Sequence, residues 1–274
     1  MSVSPEDFRF VCAFMRDAAA IVLDAGKEYL VETRLGPVAS RAGLSGIAEL
    51  IREVRRDRHG SLARSVVDAM TTNETSFFRD VAPYQHLRQN VLPALINARG
   101  AERRLKIWCA AASSGQEPYS LAMLLSEHFP QLETWDLQIL ATDISQTMLA
   151  RCRSGVYSQL EVNRGLPAAL LIKYFRKNGL DWQVDERLRN RIEWREFNLV
   201  GRGWGVLPKF DLVLLRNVMI YFDLETKRGI LANVRRVLRP DGYLFLGTAE
   251  TTANLDDAFQ PDSMHSSCFR QRAA

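Results

Sequence analysis

The stretch that most constrains this chain is Ala110-Ala111-Ala112-Ser113-Ser114-Gly115-Gln116-Glu117. It follows the apolar run Leu105-Lys106-Ile107-Trp108-Cys109 and precedes Pro118, beyond which Leu121, Leu124 and Leu125 continue at helical spacing. A short buried strand, a turn of small residues and a helix opening near a proline make a strand-loop-helix unit. Small side chains let the backbone turn tightly and approach a ligand, while the helix offers unpaired N–H groups and the positive end of its dipole. With a single glycine, this is not the three-glycine loop that cradles a pyrophosphate; it reads as a nucleotide-type cofactor loop of another kind. The next apolar run, Leu137-Gln138-Ile139-Leu140-Ala141-Thr142, stops at Asp143, where doubly wound folds put an acid for ribose hydroxyls. Asp143 also suits the cap of a helix opening near Ser145-Gln146. With the loop upstream, the ligand reading is the stronger.

A chain of 274 residues, 47% hydrophobic, can bury a full core and divide into one large and one smaller domain, since single cores stop growing at about 250 residues. It has no 18-residue apolar run, and its acidic start, Ser4-Pro5-Glu6-Asp7, lacks the regions of a signal peptide, so a cytoplasmic protein is expected. Cys12, Cys109, Cys152 and Cys268 lie far apart without a C-x-x-C pair, and His59, His86, His128 and His265 are equally scattered. Reduced thiols serving as small core residues and no metal are the expectation.

Organisation changes near residue 75. Ser4, Pro5 and Asp7 resemble a helix cap, Phe8, Val11, Cys12, Met15 and Ala19 share one face, and Gly26 reads as the end of that helix. Further helices are predicted over about Tyr29–Ala42, Ile47–Arg58 and Leu62–Met70, a small bundle. Within it, residues 1–32 carry three basic against six acidic side chains, whereas residues 34–64 carry seven arginines against three acids. Arg34, Arg41, Arg52, Arg55 and Arg56 are therefore candidate partner-binding residues for an acidic surface; a solvated face laced with local ion pairs is the alternative. After residue 80, strand runs at 105–109, 137–142, 192–197, 210–215 and 243–247 alternate with helices near 84–98, 118–128, 146–153 and 225–238, which predicts a doubly wound sheet. Leu166–Phe175 reads as helical, and Trp182–Val184 with Arg191–Phe197 as a small β-hairpin extension.

Four further patches fit a site: Asn198-Leu199 and Arg216-Asn217-Val218-Met219-Ile220-Tyr221 at strand ends, the linker Thr71-Thr72-Asn73-Glu74-Thr75-Ser76-Phe77-Phe78-Arg79, and Thr248-Ala249-Glu250. Turn chemistry explains the Thr, Asn and Ser of the linker, but not an arginine beside paired aromatics.

Thr71-Thr72-Asn73-Glu74-Thr75, Phe77-Phe78-Arg79 and Arg216-Asn217-Val218-Met219-Ile220-Tyr221-Phe222, with Ala112-Ser113-Ser114-Gly115-Gln116-Glu117-Pro118-Tyr119-Ser120, Ala141-Thr142-Asp143-Ile144 and Pro240-Asp241-Gly242-Tyr243-Leu244, resemble the CheR-type chemotaxis receptor glutamate O-methyltransferases over nearly the whole chain. The resemblance implies an all-α N-terminal domain (1–74) and a class I, Rossmann-like α/β S-adenosylmethionine methyltransferase domain (75–274) with an inserted β-subdomain at about 176–197. It implies methyl transfer from S-adenosylmethionine to receptor glutamates, leaving S-adenosylhomocysteine. Family cofactor positions fall on Asn73, Thr75, Arg79, Ala111, Gly115, Glu117, Asp143, Ile144, Asn198, Leu199, Arg216 and Asn217, with Arg79 and Tyr221 as the catalytic candidates nearest the methyl group. Asp143 is assigned the ribose hydroxyls, Glu117 the positive side of the methionine portion, and Asn198 with the Leu199 backbone the adenine edge. Gln116 stands where many relatives carry a second acid. Arg79 has two candidate partners, the substrate carboxylate and that of the cofactor. The implied partners are the cytoplasmic helices of methyl-accepting receptors, in arrays at the inner face of the membrane, with no nucleic acid, no membrane insertion and a monomeric enzyme.

Other classes fit less well. An adenine methyltransferase calls for N/D-P-P-Y where this chain has Arg216-Asn217-Val218-Met219-Ile220-Tyr221, and a nicotinamide oxidoreductase calls for the three-glycine loop. A non-catalytic cofactor sensor differs from an enzyme only by assay. Some relatives hold a receptor tail peptide as an added edge strand through a longer glycine-containing loop. Here Lys177-Asn178-Gly179-Leu180-Asp181-Trp182-Gln183-Val184 is short, which predicts a tether-independent enzyme.

Overall fold

Five of the apolar runs form the parallel part of a seven-stranded sheet in the computed structural model, which describes residues 3–201 and 204–272. The strands are β1 (Arg104–Ala110), β2 (Asp136–Asp143), β3 (Val156–Tyr157), β4 (Phe175–Asn178), β5 (Asp181–Val184), β6 (Ile192–Glu196), β7 (Phe210–Leu215), β8 (Leu238–Leu246), β9 (Phe259–Asp262) and β10 (His265–Gln271). The main sheet runs β6-β2-β1-β7-β8-β10-β9; its first five strands are parallel, and β10 is antiparallel to β8 and β9. Strand order reverses between β1 and β7, the switch point where an open α/β sheet leaves a crevice beyond its carboxyl ends. Every residue of β7 is buried, as a parallel strand covered on both faces requires. Ile107, Leu212 and Phe245 enter one core while Trp108, Val213 and Leu244 enter the other, the period-two alternation of a strand.

The helices α1 (Pro5–Ala19), α2 (Glu28–Arg41), α3 (Ile47–Arg56) and α4 (Ser61–Met70) share a third core around Val11, Met15, Leu35, Leu50 and Val66. The cap of α1 is as expected: Ser4 Oγ accepts from the Asp7 N–H at 3.1 Å behind Pro5. The helix does not extend to Gly26. It stops at Ala19, with Ala20 left-handed (φ 50°), and the chain leaves so that Ile21 lines the crevice and the Val22 N–H approaches Tyr221 O at 3.5 Å. A tertiary contact outweighs the local turn signal.

The remaining helices are α5 (Val81–His86), continued through a π turn (Leu87–Val91) into α6 (Leu92–Ala98), then α7 (Gln116–His128), α8 (Gln146–Ser154), α9 (Gln159–Asn163), α10 (Ala168–Tyr174), α11 (Glu186–Arg189) and α12 (Leu224–Val237). The inserted β-subdomain corrects the expected 176–197. Its sheet has the order β3-β5-β4, so it begins further upstream, and Phe175 opens a strand instead of closing a helix. Ile192–Glu196 belongs to the main sheet, paired in parallel with β2 from Ile139 opposite Ile192 to Asp143 opposite Glu196. Its mixed burial arises because it is the outer strand, open along one edge. The β9–β10 hairpin escaped sequence reading because Gln260-Pro261-Asp262 and Ser266-Ser267 interrupt its apolar pattern; Pro261 is tolerated on the outermost strand.

Candidate active site and family

The crevice beyond β1, β2 and β7 is closed on its other side by Ala19, Ile21, Met70 and the linker residues 71–75. It encloses about 1000 Å³ of empty space, open mouth included, at the upper end of the range of about 300–1,000 Å³ for small-molecule sites. Asn73, Thr75, Arg79, Ala111, Glu117, Asp143, Ile144, Asn198, Leu199, Arg216, Asn217 and Tyr221 all line it. Gly115 does not. It lies behind the loop at φ +96°, where a Cβ would meet Tyr157 Oη at 2.9 Å and Cys152 Sγ at 3.0 Å. What the structure gives it is close packing on the β-subdomain, which leaves no room for a side chain.

The loop after β1 holds Ala111 (φ 62°) and Ser113 (φ 51°) in the left-handed region, at a cost of about 1–3 kcal/mol each that the surroundings must offset. They do so through four hydrogen bonds: the Ala112 N–H donates to Thr142 O (2.8 Å), the Ser113 N–H to Asp143 Oδ2 (2.7 Å), Ser113 Oγ to Asn73 O (2.8 Å) and Tyr157 Oη to Ser114 O (2.6 Å). Asp143 Oδ1 accepts in addition from the Ser145 N–H at 2.9 Å. Burial raises this carboxyl to about 6, against the pull of the Ser145 and Ser113 N–H groups. Asp143 is not the cap of α8, a role Ser145 fills by accepting from the Met148 N–H at 3.1 Å; its own two N–H bonds leave the carboxylate with lone pairs to spare.

Arg216 follows β7 and is almost fully buried. Nη1 donates to Glu117 Oε2 at 2.7 Å, and Nη2 donates to Arg79 O at 2.8 Å and Asp80 Oδ2 at 3.0 Å. Burial opposes its charge, but Glu117, Tyr84 and Asp80 keep it protonated. For Glu117, burial favours the neutral form and Arg216 opposes that shift. Two acids around one arginine leave the cluster one unit negative when all are ionised. Arg216 Nε, buried, has no hydrogen-bond partner among the described residues.

The linker is pinned at both ends. Phe77 packs edge-on against Tyr157 and Phe175 at 5.0 and 5.6 Å between ring centres, and the Phe78 N–H donates to Ser120 Oγ at 2.9 Å. Phe78 (φ 47°) and Asp80 (φ 58°) are left-handed, and Gly165 passes so close that a Cβ there would lie 2.1 Å from Phe77 O. Arg79 Nη1 donates to Glu74 O at 3.1 Å. Beyond β7, Glu250 accepts from the N–H groups of Gly247 (2.6 Å), Asn217 (2.8 Å) and Ile220 (3.2 Å), setting the turn that carries Tyr221.

Several candidates also have structural partners. The Asn198 carboxamide donates to Ala18 O (2.8 Å) and accepts from the Val200 N–H (3.0 Å), which ties the sheet edge to α1. Gln116 is buried and accepts from Ser114 Oγ at 2.8 Å, a neutral partner for a neutral loop. Arg34 donates to Met70 O (2.7 Å), Thr71 O and Thr72 Oγ1 (both 3.2 Å), so it positions the linker instead of standing free. Arg55 pairs with Glu6 and Asp7 at 3.2 Å over the Phe10 ring, and Arg56 with Glu53 at 3.2 Å. Arg41 and Arg52 are exposed, without an ion pair among the described residues. Sequence reading gave no role to Ile21, Met70 or Asp80. The first two carry no chemical signal, and Asp80 is marked only by adjacency to Arg79.

Residues 73–268 match the CheR methyltransferase SAM-binding domain, and residues 6–71 match the CheR methyltransferase all-alpha domain. The chain belongs to the CheR methyltransferase family. It is 44% identical to chemotaxis protein methyltransferase 1 of Pseudomonas aeruginosa and 41% identical to chemotaxis protein methyltransferase Cher2 of Pseudomonas putida, over 95% of this chain and of each relative. Identity to chemotaxis protein methyltransferase 1 of Vibrio cholerae is 38%, over 95% of this chain and 94% of that protein. As a CheR methyltransferase it uses S-adenosylmethionine. Among the described residues no helix is long and apolar enough to cross a membrane.

Proposed function

We propose that this CheR methyltransferase methylates glutamate side chains of chemotaxis receptors, leaving glutamyl methyl esters and S-adenosylhomocysteine. One observation carries the reading: the described lining of the cleft offers Arg79 and Tyr221 but no histidine, lysine or cysteine, and its carboxylates are engaged, Glu74 with Arg164, Glu117 with Arg216 and Asp143 with the Ser113 and Ser145 N–H groups. A glutamate, with an ordinary pKa of about 4.3, is already ionised at neutral pH and needs no base. It needs a cation to hold it, a donor to orient it and exclusion of water.

The cleft fits the cofactor. Asp143 keeps lone pairs for two ribose hydroxyls, and the negative cluster of Glu117, Asp80 and Arg216 suits an α-ammonium group. Ile144, Leu199 and Ile21 supply apolar walls for a base. S-adenosylmethionine, when bound, supplies a methyl group on sulfonium, a leaving group that requires no acid. Arg79 and Tyr221 align the acceptor carboxylate, and the helical domain covers the cleft; positioning of this kind is worth up to about 7–11 kcal/mol in well-aligned systems.

The acceptor helices dock on the arginine-rich face of the helical domain, through Arg41 and Arg52 with Arg55 and Arg56 at its border. The β4–β5 turn supports docking without a tether: Asn178 pairs with Asp181, leaving only Gly179 and Leu180 between the strands. A cytoplasmic monomer working at receptor arrays follows from this reading. The test is transfer of labelled methyl from S-adenosylmethionine to receptor-bearing membranes. Base-labile ester is expected, and base-stable label or none overturns the proposal. Arg41→Glu with Arg52→Glu should suppress transfer, whereas deletion of the receptor tail should not.

A further inference from the structure

Scattered along the sequence, His86, Asp262 and Cys268 meet on the side of the sheet where α5 packs against the β9–β10 hairpin. Their donor atoms all lie within 4.8 Å of one another, and His86 Nε2 is 3.5 Å from Asp262 Oδ1. We propose that these three residues form a binding site for a borderline-soft divalent cation of the zinc(II) type.

Three observations carry this. The first is distance: nitrogen, oxygen and sulfur ligands on a tetrahedral zinc are about 3.3–3.6 Å apart, given bond lengths of about 2.0–2.3 Å. The imidazole and carboxylate already have that spacing, and Sγ needs only a side-chain adjustment. The second is an orphan: the His86 side chain is 5% exposed, yet Nε2 has no hydrogen-bond partner among the described residues. Its long contact to Asp262 lacks hydrogen-bond geometry, so the nitrogen points at an acid and a thiol without engaging either. The third is the donor set. One imidazole, one carboxylate and one thiol suit zinc or cobalt, whereas magnesium and calcium prefer oxygen cages.

The surroundings complete the site. Asn90 Nδ2 lies 3.2 Å from His86 Nδ1; turning the carboxamide over on metal binding puts its oxygen there to accept the Nδ1–H and leaves Nε2 free to coordinate, the outer support typical of metal-bound histidine. The Asp262 side chain is 17% exposed, so it faces solvent and leaves the fourth position to water. His265 stacks on His86 at 5.2 Å between ring centres, but its Nδ1 accepts from the Ser267 N–H at 3.2 Å, so it packs the site without joining it. On binding, the Cys268 thiol gives its proton to water. The ion would staple the hairpin to α5, which starts beside Asp80, the partner of Arg216. None of the three ligands lines the cofactor cleft, so the site stands independently of methyl transfer.

The test uses the full chain stripped with chelator and titrated with cobalt(II) and then zinc(II). One equivalent should bind, with a thiolate-to-cobalt charge-transfer band, tetrahedral visible absorption and release of one proton, and zinc should raise the melting temperature. Cys268→Ser should abolish the band, and Asp262→Asn and His86→Gln should each weaken binding at least about tenfold. If Cys268→Ser fails to fold, the other two variants decide. Absence of stoichiometric binding, a band retained without Cys268, or unchanged affinity in Asp262→Asn and His86→Gln overturns the site.

Discussion

Arg99 and Arg216 are buried arginines at opposite ends of the same strands, each facing two acids, and they end in different states. At the amino ends, Arg99 Nε donates to Asp211 at 2.6 Å, Nη1 and Nη2 grip Asp241 at 2.8 and 2.6 Å, and Asp211 also accepts the Lys106 N–H at 2.8 Å. Every nitrogen of that guanidinium is used. At the carboxyl ends, Arg216 leaves Nε unpaired, with strained backbone next to it. A completed ion network closes the base of the sheet, whereas an incomplete one sits where a ligand can finish it. Charge and burial alone therefore do not mark a site; unspent bonding capacity does. The signature Pro240-Asp241-Gly242 belongs to the first kind, a bulge in β8 that carries Asp241 to Arg99.

The largest effect should come from breaking the completed network. Arg99→Met leaves the buried Asp211 only its longer contact to Arg239 Nε at 3.4 Å, and stability should fall by up to about 3–5 kcal/mol. Urea unfolding would measure this, while methyl transfer per folded molecule should hardly change. A proportional loss of activity would erase the contrast between the two clusters.

Next is Asp143→Ala, which should weaken S-adenosylhomocysteine binding by about 1.5–3 kcal/mol while the protein stays folded. Calorimetry that returned wild-type affinity would remove Asp143 from ribose binding.

The same carboxyl gives a pH dependence with two signs. Because burial raises it to about 6, the protonated form favours the folded ligand-free protein; that contribution to stability is complete below about pH 4 and is lost as pH rises through about 6. Binding uses the ionised form, so affinity should be flat above pH 6 and fall about tenfold per unit below it. An affinity constant from pH 7 to pH 5 would contradict the assignment.

Smaller effects sharpen the site's own end of the comparison. Glu250→Gln removes the charge that gathers the Gly247, Asn217 and Ile220 N–H groups, and should cost about 1–1.5 kcal/mol in turnover with a lesser change in cofactor affinity. Tyr221→Phe, which deletes one hydroxyl, should lower turnover by about 0.5–1.5 kcal/mol and leave cofactor affinity nearly intact. A full single-turnover rate would take Tyr221 out of the mechanism.

What the sequence by itself determined was local. The strand-loop-helix unit around Ala110–Glu117, the acid ending β2 and the Ser4 cap follow from periodicity, small residues and capping, which act over one or two turns of chain. The cofactor positions came from the family resemblance, and those at strand ends meet in one cleft because strand ends in an open parallel sheet converge by topology. Tertiary structure decided the rest. It sent Ile192–Glu196 to the main sheet, stopped α1 at Ala19, and spent Arg34 on the linker and Arg55 on Glu6 and Asp7. It also brought Asp80 to Arg216, the Glu250 carboxylate to the Asn217 and Ile220 N–H groups, and His86 to Asp262 and Cys268. Each of these depends on which distant segment packs alongside, and no side chain carries that information in its near neighbours.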